Sequence, residues 1–199
     1  MIPFFLCISL IIVIWHEHYI FFFRYGLRNG KIIALNTLFL SLVLFYVYPL
    51  KFLTKLILVP IAYVLGDSSL QTELSGLISA KDIGDLMIIY GIGAAGIFFV
   101  LMLMYRHALK NAVELELTEL EKFDARSKIT TNLLMGLIPV LSVILSFIFR
   151  GHWLAGAIGG VTYFLYTPVM MVHEKIVDRK RGKLIDLQIP EKHNNQSED

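Results

Sequence analysis

The chain has 199 residues, of which 56% are hydrophobic and 17% charged, and its formal net charge is +2. A soluble domain typically carries about 25% charged residues, so this composition, with a mean hydropathy of +0.67, argues against a water-soluble protein and indicates a membrane protein. One cysteine, Cys7, excludes an intrachain disulfide and a cysteine-rich zinc or iron–sulfur site.

Long apolar runs predict five membrane-spanning helices, because a helix needs about 20 mainly apolar residues to cross the hydrocarbon core. The first run has no basic residue before it and no small-residue cleavage site, so it does not fit a signal peptide. After Pro49 we interpret residues 50–65 as an extension of the second span into the interface, a separate short span being the alternative. The predicted spans are residues 1–23, 32–49 with its extension to 65, 86–105, 129–149 and 154–172.

Residues 107–128 are predicted to form an amphipathic helix that continues the third span out of the membrane to residue 128. Leucine and valine recur there at helical spacing, with glutamates between them. The predicted fold is therefore an all-α integral membrane helical bundle over residues 1–173. A polar tail, residues 174–199, follows, and its end is expected to be disordered.

Loops that are rich in basic residues alternate along the chain with loops that contain few of them. The positive-inside rule places the first loop, the third loop and the C-terminal tail in the cytoplasm, in a multi-pass protein of the cell membrane. Lys51 and Lys55 do not fit this alternation. Five spans would leave Met1 outside, and a further helix upstream would bring both termini inside, so the sequence hints at a six-helix design without its first member.

Several polar side chains fall where lipid would lie, and such residues are functional candidates. Positions two apart on a helix point to nearly opposite faces, so the run His16-Glu17-His18 is not expected to converge on a metal ion. His18 is expected to face the bundle interior and meet Asn36 from the second span. For Asn36 a helix–helix hydrogen bond and a role in conduction both stay open.

Glycines in the later spans are predicted to allow close helix packing, chiefly Gly91 and the pair Gly156-x-x-x-Gly160. Gly91, Gly93 and Gly96 match a dinucleotide-binding pattern by letter, but they lie inside an apolar helix rather than between a strand and a helix. No nucleophile motif and no nucleic-acid-binding pattern occurs. The sequence therefore predicts no catalytic residue, no cofactor and no nucleic-acid partner.

One stretch resembles a known family, the transmembrane-protein-175 type of potassium channel. The resemblance rests on Trp15-x-x-His18, Phe22, a basic turn, Asn36-x-x-x-Leu40 and Pro49, which are similar to the second and third helices of that family. It implies six-helix units that assemble around a pore, as tetramers in bacteria, and conduct potassium ions through a lipid bilayer. It also implies that Trp15, His18 and Asn36 belong to an interhelical polar network.

The family's first helix carries the pattern F-S-x-x-x-D and lines the pore, and this pattern is absent from the sequence. In the family, polar residues of that helix bond with polar residues of the next two helices, and His18 and Asn36 are the matching positions here. Two hypotheses follow: a potassium channel subunit, or a non-conducting membrane scaffold or accessory subunit.

Overall fold

A computed structural model describes residues 2–46, 82–149 and 155–194, and this part of the chain is almost entirely helical. The predicted all-α fold is confirmed. The predicted extension over residues 50–65, with Pro49, Lys51 and Lys55, lies outside the described residues. The helices are α1 (Ile2–Tyr25), α2 (Gly30–Tyr46), α3 (Asp82–Lys110), α4 (Glu119–Ile148), α5 (Ala155–Val161), a 3-10 turn (Thr162–Leu165) and α6 (Tyr166–Asn194).

A short turn joins α1 to α2, and local residues fix both of its ends. Gly26 adopts a positive φ of 53°, a left-handed conformation that favours glycine. Its N–H donates to the carbonyl of Phe22 at 3.0 Å and so ends α1. The side-chain Oδ1 of Asn29 accepts the N–H of Ile32 at 3.1 Å, which caps the start of α2.

The segment between α3 and α4 differs from the single helical extension to residue 128 that the spacing of leucines predicted. α3 ends at Lys110, and the chain turns back before α4 begins at Glu119. Thr118 and Glu121 form a capping box: the Thr118 N–H donates to Glu121 Oε2 at 2.8 Å, and the Glu121 N–H donates to Thr118 Oγ1 at 3.3 Å. Two backbone donors are thereby satisfied, and a new helix start becomes favourable.

Helices α3 and α4 form the central hairpin of the bundle. They are the two described helices that are long and apolar enough to cross a membrane, over Gly84–Lys110 and Glu119–Ile148. Small residues let them approach closely. A Cβ at Gly91 would collide with the Val143 side chain, and one at Gly136 would lie 2.7 Å from the ring of Phe99.

Three buried aromatic side chains pack together between α1 and α3. The ring of Tyr105 makes edge-on contacts with Phe21 and Tyr25, at centroid separations of 5.2 and 5.8 Å. All three rings are at most 5% exposed. Aromatic rings packed edge to face add attraction beyond their buried area, so this cluster fixes how the first helix lies on the hairpin.

Pro139 lies inside α4 and cannot donate the hydrogen bond that a helix needs at that position. The acceptor left without a donor is the carbonyl of Met135, four residues earlier. The hydroxyl of Tyr166, the first residue of α6, donates to this carbonyl at 2.8 Å. A side chain from the last helix therefore replaces the missing backbone donor.

The carbonyl of Gly159, in α5, accepts two side-chain hydrogen bonds that hold this short helix against α4. Ser142 Oγ donates at 2.8 Å and Thr162 Oγ1 at 2.6 Å. Ser142 is fully buried and Thr162 nearly so. The last helix, α6, runs without a break from Tyr166 to Asn194. The end of the fifth predicted span and most of the polar tail therefore belong to one helix.

Candidate functional site

A hydrogen bond joins the first two helices through the two polar residues that the sequence singled out. His18 Nε2 lies 2.6 Å from Asn36 Oδ1. An amide oxygen only accepts, so Nε2 carries the hydrogen and donates it. Both side chains are half-buried, where a hydrogen bond is worth more than at a wetted surface.

Aromatic rings hold His18 in place for this bond. Its imidazole stacks on the ring of Phe39 at a centroid distance of 5.0 Å and an interplanar angle of 5°. Phe22, one turn along α1, packs against the same imidazole at 4.9 Å. The donor is therefore oriented by contacts from both helices, and the pair forms a rigid polar bridge between α1 and α2.

Trp15 lies apart from this bridge. It is 59% exposed and stacks on Tyr19, one turn further along α1, at 5.6 Å. Among the described residues it makes no hydrogen bond to His18 or Asn36. Its place in a polar network, which the resemblance implies, stays a prediction.

An ion pair near one end of the bundle joins α1 to α4. Lys128 Nζ donates to both carboxylate oxygens of Glu17, at 2.9 and 2.8 Å. Both side chains are about one-third exposed. Glu17 directly precedes His18 in the sequence. Two successive residues of α1 therefore bond it to two other helices: Glu17 to α4 and His18 to α2.

A second carboxylate lies between arginines from the first and the last helix. Asp124, at the start of α4, accepts from Arg24 at 3.4 Å and from Arg181 Nε at 3.1 Å. The Asp124 side chain is only 15% exposed, so the two cations offset the cost of withdrawing its charge from water. This bridge ties α1, α4 and α6 together at the same end of the bundle.

A third polar contact joins the first turn to the end of α3. His107 Nε2 lies 2.9 Å from Asn29 Nδ2, 3.0 Å from Asn29 Oδ1 and 3.1 Å from Asn111 Nδ2. If Nε2 carries a hydrogen, it donates to Asn29 Oδ1. Both amides donate to this nitrogen when it carries no proton. Asn29 also caps α2, so the contact connects the start of α2 with the end of α3.

The structure separates the three glycines predicted to mediate helix packing. Gly91 lies against α4, where an added Cβ would meet both Val143 and the carbonyl oxygen of Pro139. At Gly160, nothing among the described residues lies within 4 Å of the place where a Cβ would be, so its packing role stays a prediction. Gly156 lies in α5, where its surroundings fall outside the described residues. Its neighbour Gly159 makes the close contact, against Ser146 and Ser142.

The ionic bridges have no signal in the sequence. Arg24 and Asp124 are 100 residues apart, and Glu17 and Lys128 are 111 apart. No local pattern pairs charges over such distances. For Tyr166 a signal was present, because a proline inside a span leaves a carbonyl that needs a donor from elsewhere.

The fold and the site together define a class: a helical membrane protein whose helices are tied to one another by polar side chains. The chain is 43% identical over 187 residues to a potassium channel of Marivirga tractuosa. The matched region covers 92% of this chain and 75% of that protein. It also matches the crystal structure of a variant of the potassium channel MtTMEM175 in complex with a nanobody–MBP fusion protein. That match has a TM-score of 0.78 and 42% identity, over 90% of this chain and 78% of the other.

No protein-family model matches the chain. The two relatives nevertheless establish its family, because the identity extends over most of both chains. The chain belongs to the TMEM175 family of potassium channels, so the resemblance to that family is confirmed. Its relatives are channels rather than enzymes, and its location is a membrane.

Proposed function

We propose that this chain is a subunit of an oligomeric potassium channel that carries K⁺ passively across a membrane. The observation that carries the proposal is the 43% identity to a potassium channel over 92% of the chain. The common fold, with a TM-score of 0.78 to a solved potassium channel, supports it. Channels of this kind select and gate by controlling the hydration of ions along a narrow path between helices.

In the proposed disposition the chain crosses the membrane five times and its C-terminus is cytoplasmic. Two observations support this arrangement. Basic residues are concentrated in the first loop, the third loop and the tail. The same three regions meet through Arg24, Asp124 and Arg181 at one end of the bundle, which supports placing them on the same side of the membrane.

We further propose that several copies surround the pore, as a tetramer. Large apolar side chains on the outer faces of α1 and α2 are well exposed in the isolated chain, among them Phe23 (78%), Leu44 (75%) and Phe45 (68%). Lipid or a neighbouring copy would cover such a surface. In this assembly the polar bridge of His18 and Asn36 would hold α1 and α2 together as one unit.

Reconstituted protein in planar bilayers tests the conduction proposal. We expect currents that are larger in potassium than in sodium, from a preparation whose mass in detergent corresponds to an oligomer. Empty bilayers and protein unfolded before reconstitution serve as controls. A well-assembled oligomer that carries no potassium-selective current would overturn the proposal.

A further inference from the structure

One side of the last helix, α6, carries a row of three cations. Lys175, Arg179 and Lys183 follow one another at intervals of four residues, so they lie one turn above another on the same face of the helix. Successive members are about 6 Å apart along the helix axis. All three are exposed, and within the described part of the chain none of them forms an ion pair. These three residues are called the basic row.

Arg181 fixes the direction in which the basic row faces. It lies two positions from Arg179 and from Lys183, so its side chain points to nearly the opposite side of α6. On that side its Nε donates to Asp124 of α4 at 3.1 Å. Arg24 of α1 binds the same carboxylate. The basic row therefore faces away from α4 and α1, and its exposure does not depend on what packs against α1.

Charges of opposite sign are separated around α6. Glu174 and Asp178 precede Arg181 by seven and three residues, a spacing that puts them on the same side of the helix as Arg181. Val177, which is half-buried, lies on that side as well. The face that carries the basic row consequently has no carboxylate between its first and last member in this described stretch, so it complements a negative group.

The basic row begins where α6 is expected to leave the membrane. Met171 and Val172, in the turn before it, are apolar and 53% and 59% exposed. The fifth predicted span ends at residue 172, so Lys175 and Arg179 lie about 5 and 10 Å beyond that end. The ion pair of α6 agrees with this level, because Asp124 lies just before the fourth predicted span, which begins at residue 129. An apolar turn followed by two cations matches the order of acyl chain and phosphate in a phospholipid.

We propose that Lys175 and Arg179 together bind the headgroup phosphate of one anionic phospholipid, whose acyl chain lies along Met171 and Val172. The guanidinium donates two parallel hydrogen bonds to phosphate oxygens, and the ammonium adds a compact positive charge. Unpaired cations beside a membrane favour an anionic headgroup over a zwitterionic one.

The third member of the basic row contributes less. Lys183 lies about 12 Å further from the membrane than Lys175, which exceeds the distance of about 8 Å over which salt screens exposed charges. Asp186 follows it one turn later on the same side and offsets its charge. The site rests on the membrane location of the protein and not on ion conduction, so lipid retention and channel currents can fail separately.

Native mass spectrometry of the purified chain, released from detergent, tests the site. Phosphatidylglycerol and phosphatidylcholine with identical acyl chains are added in equal amounts, and the ratio of the two retained lipids is measured. The wild type is expected to retain phosphatidylglycerol preferentially. Lys175→Gln and Arg179→Gln should each lower the ratio about five-fold, and Lys183→Gln should lower it about two-fold or less. Arg179→Lys should keep part of the preference.

A matched control separates the site from general surface charge. Arg126→Gln removes an exposed cation of α4 that lies two residues from Asp124 and so points away from α6. It should leave the ratio unchanged. Circular dichroism compares each variant with the wild type, so that a change in lipid retention is scored only in a folded chain. The double variant Lys175→Gln/Arg179→Gln should lose the preference and keep its oligomer mass.

Four results would overturn the proposal. An equal effect of Arg126→Gln and Arg179→Gln would indicate diffuse attraction by surface charge. An unchanged ratio in the double variant would show that the basic row is not used. Displacement of the lipid by water-soluble glycerol phosphate would indicate an anion site without an acyl chain. Loss of oligomer mass in the double variant would indicate that a second copy of the chain, and not lipid, covers this face of α6.

Discussion

The hydroxyl of Tyr166 donates to the carbonyl of Met135 at 2.8 Å, at the position where Pro139 deprives α4 of its own donor. A buried carbonyl without a partner is costly in a membrane, where no water replaces the lost bond. The last helix therefore completes the hydrogen bonding of the helix it packs against. This relationship explains how a proline is tolerated inside a span.

We expect Tyr166→Phe to lower the free energy of unfolding by about 1–2 kcal/mol, because Met135 loses its donor. Thermal unfolding in detergent measures the change, and Tyr19→Phe, on the exposed face of α1, is the control. In a Pro139→Ala background the restored backbone amide can donate to Met135, so Tyr166→Phe should cost less there. An equal cost in both backgrounds would contradict the assignment.

Asn36→Leu should lower the free energy of unfolding by about 1–2 kcal/mol, because the Nε2–H of His18 loses its acceptor. Thr37→Val is a matched control at the next position, since Thr37 Oγ1 donates only within its own helix, to the Ile33 carbonyl at 3.0 Å. Midpoints of thermal unfolding in detergent compare the two. Equal midpoints for wild type and Asn36→Leu would rule out a packing role for this bond.

Asp124→Asn should destabilise the bundle modestly, because it removes the ion pairs with Arg24 and Arg181. Both arginines are more than 40% exposed, so each pair contributes about 1 kcal/mol or less. The deficit should shrink in high salt, which screens exposed charges. Glu114→Gln, an exposed carboxylate in the turn before α4, should show no deficit at low or high salt. A deficit for Asp124→Asn that is independent of salt would indicate a cause other than charge.

Substitution by alanine should have different effects at two glycines. Gly91→Ala should destabilise the α3–α4 hairpin by about 1–3 kcal/mol, because the new methyl collides with Val143 and the Pro139 carbonyl. Gly160→Ala should be neutral or slightly stabilising, since its surroundings are open and alanine is the better helix former. Thermal unfolding of both variants in detergent provides the comparison. A larger loss for Gly160→Ala would contradict the packing described here.

Sequence periodicity carries information about residues whose partners lie on the neighbouring helix. His18 and Asn36 could be singled out because a polar residue in an apolar run needs a partner, and a short turn brings adjacent helices side by side. Small residues in a span indicate close packing, but the letters alone do not distinguish Gly159, where an added Cβ would meet serines of α4, from Gly160, where it would meet no described atom within 4 Å. That distinction depends on helix rotation, which follows from packing in three dimensions.

The segment between α3 and α4 shows where hydrophobic spacing is not sufficient. The leucines of residues 107–128 fit one helix, yet Thr118 and Glu121 satisfy each other's backbone amides and begin a new one. The pattern S/T-x-x-E is a local signal for a helix start. Here it outweighs the helical spacing of the leucines, which would predict one continuous helix. The ion pairs of Asp124 have no comparable signal, because attraction between charges does not depend on their separation along the chain.

Asp124 has a consequence for how the protein is made. Its two arginine partners come from opposite ends of the chain, Arg24 from the first helix and Arg181 from the last. A ribosome releases the N-terminal partner long before the C-terminal one, and helices that emerge early begin to associate before synthesis ends. We therefore expect that Asp124 can pair with Arg24 early in synthesis, and that its second partner, Arg181, becomes available only when most of the chain has been translated.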